Sequence, residues 1–161
     1  MYIRQVEEKD LPMLVEIEQQ GFTPEEAATK EAFIQRIQQI PDTFLVAESA
    51  GEIVGYVNGP VISKRYITDD LFTETMHNPH EGGYASILGL AVSKKARKQG
   101  IAAKLLKVFE EQAKKHKRQG VTLTCKAELI PFYEHLGYTN EGIAESVHGG
   151  VVWYNMVKEF V

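Results

Sequence analysis

The sequence predicts a single α/β (α+β) domain built on a mixed central sheet, with the element order β-α-α-β-β-β-α-β-α-β-β. Three observations predict it. An apolar run (Ile87, Leu88, Leu90, Ala91, Val92) passes into a basic cluster (Lys94, Lys95, Arg97, Lys98) and then into Gly100-Ile101-Ala102, the pattern of a strand, a cationic turn and a helix start. Further on, alternating Val121, Leu123 and Cys125 make a strand that runs into a short helix, Leu129 to Leu136, ended by Gly137. No internal repeat or linker divides the chain, and its 161 residues suit one domain with a substantial core.

The elements follow in order. Tyr2 to Val6 is short and alternating, a first strand, and Asp10 stands as N-cap before Leu11-Pro12. The first helix puts Leu11, Leu14, Val15 and Ile17 on its apolar face and closes at Gly21. Thr23-Pro24-Glu25-Glu26 has the form of a capping box, which predicts a second helix from Glu25 to Ile40 that buries Ala27, Phe33, Ile34 and Ile37. Thr43 to Glu48 and Glu52 to Ser63 read as a hairpin around Ser49 to Gly51. Glycines at 55 and 59 mark a bulge or a close approach in its second strand, which either lines an acceptor pocket or forms an irregular edge.

Lys64 to Gly83 is irregular and polar, with a short helix expected over Asp69 to Met76, and its length between strands suits a functional loop. The helix after the cationic turn runs from Lys98 to Lys117, burying Ile101, Leu105, Phe109 and Ala113. Its basic end, Lys114 to Arg118, suits a helix C-terminus without any ligand. Tyr138 to Val147 and Val151 to Val157 form a final hairpin around His148-Gly149-Gly150, with Trp153 and Tyr154 on opposite faces.

Composition narrows the function. Apolar residues at 43% and charged residues at 25% are ordinary for a globular protein, and a net charge of -4 argues against nucleic acid as the main partner. One cysteine excludes an internal disulfide framework. No apolar run reaches the ~18 residues of a membrane span, and MYIRQVEEKD lacks a signal-peptide core, so no membrane partner and a cytoplasmic location are expected. The loop histidines His77 and His80 lack a further His/Cys cluster, so no metal is expected.

The cationic turn is where chemistry enters, because the first amides of a helix lack partners inside it and attract phosphate. Neither G-x-x-x-x-G-K-[ST] nor G-x-G-x-x-G is present. The turn instead reads Arg97-x-x-Gly100-x-Ala102, which resembles the R/Q-x-x-G-x-G/A signature of the GNAT superfamily of N-acetyltransferases. Pro131-Phe132-Tyr133-x-x-x-Gly137-Tyr138 matches a second GNAT signature, P-F-Y-x-x-x-G-[FY], and the element order agrees throughout. Within that superfamily FTPEEAATKEAF and the PFYE helix resemble arylalkylamine (serotonin) N-acetyltransferases.

The resemblance implies one GNAT domain over 1-161, acetyl-CoA as co-substrate and direct acetyl transfer to a primary amine. Lys98, Gln99, Gly100, Ile101, Ala102 and Ala103 would hold the pyrophosphate through their amides, with Arg97 and Lys98 adding charge. Leu90, Ala91 and Val92 would pair with the pantetheine arm as an added strand, at a gap beginning near Gly89, and the Leu90 amide would face the oxyanion. Tyr133 is implied as cofactor contact and general acid. The serotonin enzymes carry H-x-H on the central strand, where this chain has Ser86 and Leu88. Three routes for the amine proton therefore stay open: a water relay past Ser86, a loop residue (His77, His80 or Glu81) as base, or an amine that arrives neutral.

The expected acceptor is a small amine, aralkylamine or polyamine-like, held by Phe22 to Ala28, Tyr56 to Pro60 and the 64 to 83 loop. Carboxylates Glu25, Glu26, Asp69, Asp70 and Glu81 are available to attract a cation. Acetylation of a protein N-terminus or lysine and a non-catalytic acyl-CoA-binding module are the alternatives. Acyl chain length is open, and the chain is expected as a monomer or homodimer. Cys125 reads as a buried, inert thiol.

Overall fold

The computed structural model describes residues 1–73, 75–146 and 148–160. Its strands are β1 (Tyr2–Gln5), β2 (Phe44–Ser49), β3 (Glu52–Asn58), β4 (Val61–Ile62), β5 (Tyr84–Ile87), β6 (Gly89–Val92), β7 (Gly120–Cys125), β8 (Thr139–Ile143) and β9 (Tyr154–Glu159). Its helices are α1 (Leu11–Gly21), α2 (Lys30–Gln39), α3 (Ile101–Lys115) and α4 (Ile130–His135). The expected order holds, with two expected strands each divided in two. The 52 to 63 strand breaks into β3 and β4 at Gly59-Pro60, and the central strand breaks into β5 and β6 at Leu88.

Those breaks make two sheets where one was expected, ordered β1-β2-β3-β6 and β4-β5-β7-β9-β8. The chain crosses between them where Leu88 donates its amide N–H to the Asn58 carbonyl (2.8 Å) and Ser86 donates its own to Pro60 (2.9 Å). Gly59 sits against this crossing so closely that a Cβ there would be driven into the Ser86 carbonyl. Its role is close backbone approach. β5 runs parallel to β7 as far as the Ile87–Leu123 pair, and β6 then follows β3 with Tyr56 opposite Ala91. The two neighbouring strands β6 and β7 thus diverge, and β6 is left as the outer strand of its sheet.

Helices cover both faces. Leu105, Leu106 and Phe109 of α3 pack on Leu45, Ala47, Val57, Leu123 and Met156. Leu14 and Ile17 of α1 with Phe33 and Ile37 of α2 pack on Phe44, Val46, Ile53 and Tyr56. Burial on both sides explains why β2 reads as an unbroken apolar run, Phe44-Leu45-Val46-Ala47. Each such Leu or Phe contributes about 1.5–3 kcal/mol. The β2–β3 turn places Ala50 and Gly51 both at positive φ (51° and 80°), the geometry of a tight two-residue hairpin.

Two helix starts differ from expectation, and one expected cap fails: α3 begins at Ile101 and not at Lys98, because Lys98 and Gly100 take left-handed backbone, α2 begins late, and Asp10 does not cap α1. α2 begins at Lys30, capped by Thr29, whose Oγ1 accepts the Ala32 amide N–H at 3.1 Å. Half of the capping box at Thr23 forms, the Glu26 carboxylate taking the Thr23 amide N–H at 3.1 Å, while the Glu26 and Ala27 amides bond the Thr23 carbonyl and close a single turn. The Ala28 amide N–H is drawn instead to the Glu18 carboxylate, 2.7 Å away, so the chain leaves the helical path before Thr29. Asp10 precedes α1 without capping it; its carboxylate takes the Glu7 amide N–H (2.8 Å) and both Arg4 guanidinium nitrogens (2.9 Å each). The short helix expected over Asp69 to Met76 is a single 3-10 turn, Asp69–Phe72, and Glu74 and Val147 lie outside the described residues.

Candidate active site

The divergence of β6 from β7 opens two clefts that meet. The larger, about 530 Å³, is lined by Leu90, Ala91 and Val92 of β6, by Ala96, Arg97, Lys98 and Gly100 of the cationic turn, and by Ile101, Ala102 and Ala103 of α3. Phe22 and Leu129, Phe132 and Tyr133 close its far side. The smaller, about 70 Å³, lies between Ile87 to Leu90 and Leu123 to Cys125, beneath Glu18, Glu26, Phe72, His148 and Trp153. Phe22, Leu90, Leu129 and Tyr133 belong to both.

The turn is shaped for an anion. Lys98 and Gly100 are both left-handed (φ 65° and 75°), and no side chain caps α3, so the amides of Ile101 to Ala103 project bare from its positive end. The first backbone bond of α3 runs from the Lys104 N–H to the Gly100 carbonyl at 3.1 Å. A Cβ at Gly100 would meet nothing, so glycine serves the turn's conformation there and leaves the surface low. Arg97 donates Nε–H to the Val92 carbonyl (3.2 Å), fixing the turn against the end of β6. Lys95 is paired with Glu52 at 2.5 Å, whereas Arg97 and Lys98 reach the cleft. Bare amides, two cations and an open strand edge fit a phosphate-bearing coenzyme with an amide-rich arm.

Tyr133 stands where the clefts meet, on the inner face of α4. It is buried, its hydroxyl has no hydrogen-bond partner among the described residues, and burial, with Cys125 beside it, holds the phenol well above its ordinary pKa. It remains a proton donor at any working pH. The Cys125 thiol is pushed up to about 11 by burial, with Glu128 adding to the shift, and stays inert as expected.

The smaller recess holds a group that the motifs do not point to. Glu18 is buried on α1, its carboxylate accepting from the Tyr56 hydroxyl and from the Ala28 amide at 2.7 Å. Burial raises its pKa to about 7, against the Ala28 bond and the Arg36 charge, which lower it. A carboxyl poised there can take a proton near neutrality. One sequence signal could have found it: Glu18 follows Leu14 by one turn, an acid on the apolar stripe of α1. Arg36, itself buried and lowered to about 10 by desolvation, donates to the Phe72 carbonyl at 3.4 Å and so holds the recess's roof. Phe72 in turn stacks on His148, with ring centroids 4.5 Å apart.

Several expected site residues lie elsewhere. Ser86 is fully buried with its hydroxyl given to the Pro60 carbonyl (2.5 Å), and it lines neither cleft, because the chain crossing turns it inward. Glu81 is exposed, 3.8 Å from Lys117, and apart from both clefts. Gln99 is exposed beside the turn and lines no cleft. His77 faces the Gln39 carbonyl at 3.1 Å and His80 edges His116, so neither approaches Tyr133. Of the proposed acceptor walls, Phe22, Glu26, Ala28 and Phe72 line the recess; Tyr56 to Pro60 do not, Tyr56 reaching it only through Glu18. Leu88, at a position of the relatives' histidine pair, does line it.

The layered fold and the paired clefts define an α/β protein with a ligand groove where its two sheets part. The acetyltransferase (GNAT) domain model matches residues 13–160, and the chain belongs to that family. It is an acyltransferase of the GNAT type with acetyl-CoA as co-substrate. No curated protein matches the sequence. Among solved structures, Ard1 from Thermoplasma volcanium is similar at 21% identity and TM-score 0.77, over 99% of this chain and 97% of that one. A GphF GNAT-like decarboxylase in complex with isobutyryl-CoA aligns at 17% identity and TM-score 0.84, over 99% of each chain. The ribosomal-protein-alanine N-acetyltransferase from Brucella melitensis aligns at 22% and 0.72, over 99% of this chain and 100% of that one. At these identities the likeness establishes the fold. No helix among the described residues is long and apolar enough to cross a membrane.

Proposed function

We propose that the protein transfers the acetyl group of acetyl-CoA directly to the primary amine of a small molecule. The observation that carries this reading is the joining of the two clefts at Tyr133, with a carboxylate near neutrality, Glu18, in the narrower one. The pyrophosphate sits on the amides of Lys98 to Ala103, Gln99 contributing main chain only, and the pantetheine arm extends β6. The amine gives its proton to Glu18 and its nitrogen attacks the thioester carbon, while the Leu90 amide faces the oxyanion. Collapse of the intermediate breaks the C–S bond, and the departing thiolate accepts a hydrogen bond from Tyr133. A phenol held above its usual ~10 against a thiol of ~8.5 donates a strengthening hydrogen bond here and keeps its proton. The proton lost by the amine reaches the thiol through solvent.

The aromatic lining of Phe22, Phe72 and Trp153 supports an aralkylamine acceptor, in line with the resemblance of FTPEEAATKEAF and PFYE to the serotonin enzymes. A second reading, acetylation of a protein N-terminus, is favoured by the ribosomal-protein-alanine N-acetyltransferase among the structural relatives. An acceptor panel of aralkylamines, polyamines and short peptides, followed by thiol release between pH 6 and 10, separates them. For the small-amine reading, kcat/KM rises with pH and levels above about 7, where Glu18 is ionised. Tyr133→Phe lowers kcat by ~10²-fold or more and leaves CoA affinity in place. Turnover of peptides alone, or a rate that climbs without levelling, rejects the acceptor or the base respectively.

A further inference from the structure

The two carboxylates of the narrow recess keep unequal company. Glu18 is met by neutral donors, the Tyr56 hydroxyl and the Ala28 amide. Glu26 carries a resident cation. Its carboxylate, 2% exposed, lies 2.5 Å from Lys126 Nζ, at the end of β7. The surroundings hold it in place: its other oxygen takes the Thr23 amide N–H, and its main-chain carbonyl accepts from His148 Nε2 at 2.7 Å. Gly149 presses on its stem, where a Cβ would come within 2.7 Å of Glu26 Cγ.

From this pairing we infer that Lys126 is a specificity-determining residue. Its ammonium fills the cation position that Glu26 would otherwise offer, so the recess accepts a monoamine with an apolar remainder and turns away a diamine. The inference rests on the small-amine reading above. The pairing supports it: Lys126 bonds Glu26 directly, whereas Arg36, the cation nearest Glu18, turns its donors to Asn58 and Phe72. The Glu18 carboxylate is thus left to bond the reacting amine, and Phe22, Phe72, Leu129 and Trp153 supply apolar walls for the rest of the acceptor. A second ammonium entering the recess would contest a buried carboxylate that Lys126 already neutralises, a like-charge juxtaposition that selects against it.

The test compares phenethylamine with linear diamines of three to six carbons. Wild type is set beside Lys126→Met, which keeps the apolar stem, Lys126→Gln, which keeps a hydrogen bond to Glu26 and guards against misfolding of the first, and Lys126→Arg, which keeps the charge. The diamine-to-monoamine ratio of kcat/KM is expected to rise at least tenfold in the Met and Gln variants, mainly through KM, and to stay at the wild-type value in Arg. An unchanged ratio in a folded Met or Gln variant overturns the inference. Calorimetric titration of the CoA-bound proteins with the same diamines supplies a reading free of turnover. If wild type acetylates no amine, the acceptor reading falls. The Lys126 assignment is still decided by whether Met or Gln tightens diamine binding, and equal affinities sink it.

Discussion

Glu18 shows how one side chain couples stability to chemistry. Its pKa stands at about 7 in the fold against an ordinary 4.5, because burial disfavours the charged form. Below pH 4.5 the folded and unfolded chains both hold the proton and nothing is lost. Between 4.5 and 7 the unfolded chain releases it first, so folding is increasingly disfavoured, and above 7 the penalty levels at about 3 kcal/mol. Glu18→Gln is therefore expected to leave Tm near wild type at pH 5, to raise it by several degrees at pH 8, and to lower kcat/KM by ~10²-fold or more. Melting curves at the two pH values and steady-state rates check both halves. A variant that loses activity without the pH-dependent gain would show that Glu18 is not strained by its burial.

At the scale of elements, the parts legible in the sequence are those written locally. The Arg97 to Ala102 turn, the Tyr133 helix and the apolar stripe of α3 each fit within a few consecutive turns, and each lies as read. What escaped were contacts between distant segments. The start of α2 depended on Glu18 drawing the Ala28 amide away, ten residues back along the chain. The break at Leu88 depended on Asn58 taking its amide from another strand. Serine at 86 reads as a polar relay until the crossing at Pro60 claims its hydroxyl. Gly59 is the hinge of that crossing, and its replacement by alanine has no flexible neighbour to push aside, only main chain. Gly59→Ala is expected to destabilise by about 3 kcal/mol, a fall in Tm of roughly 6–12 °C, measurable by calorimetry.

The whole molecule is two sheets held by helices on both faces, with the larger cleft, proposed above for the coenzyme, at their seam. A ligand that bridges the seam binds only the folded chain. CoA at 100 times its Kd is expected to add about 2.7 kcal/mol, a rise in Tm of about 5–10 °C. Ala102→Glu, which sets a carboxylate on the surface proposed for the pyrophosphate, should abolish most of that rise while leaving the melting point of the free protein nearly unchanged. A shift that survives this change would place the diphosphate elsewhere.

The free flank of β6 has one more consequence. A row of main-chain donors and acceptors facing a trough will hold any extended strand that reaches it, whether a carrier's amide-bearing arm or a stray segment of another copy. Coenzyme bound as proposed covers this edge as well as reacting, so adding CoA is expected to lower any self-association of the chain, a change that light scattering with and without CoA reads.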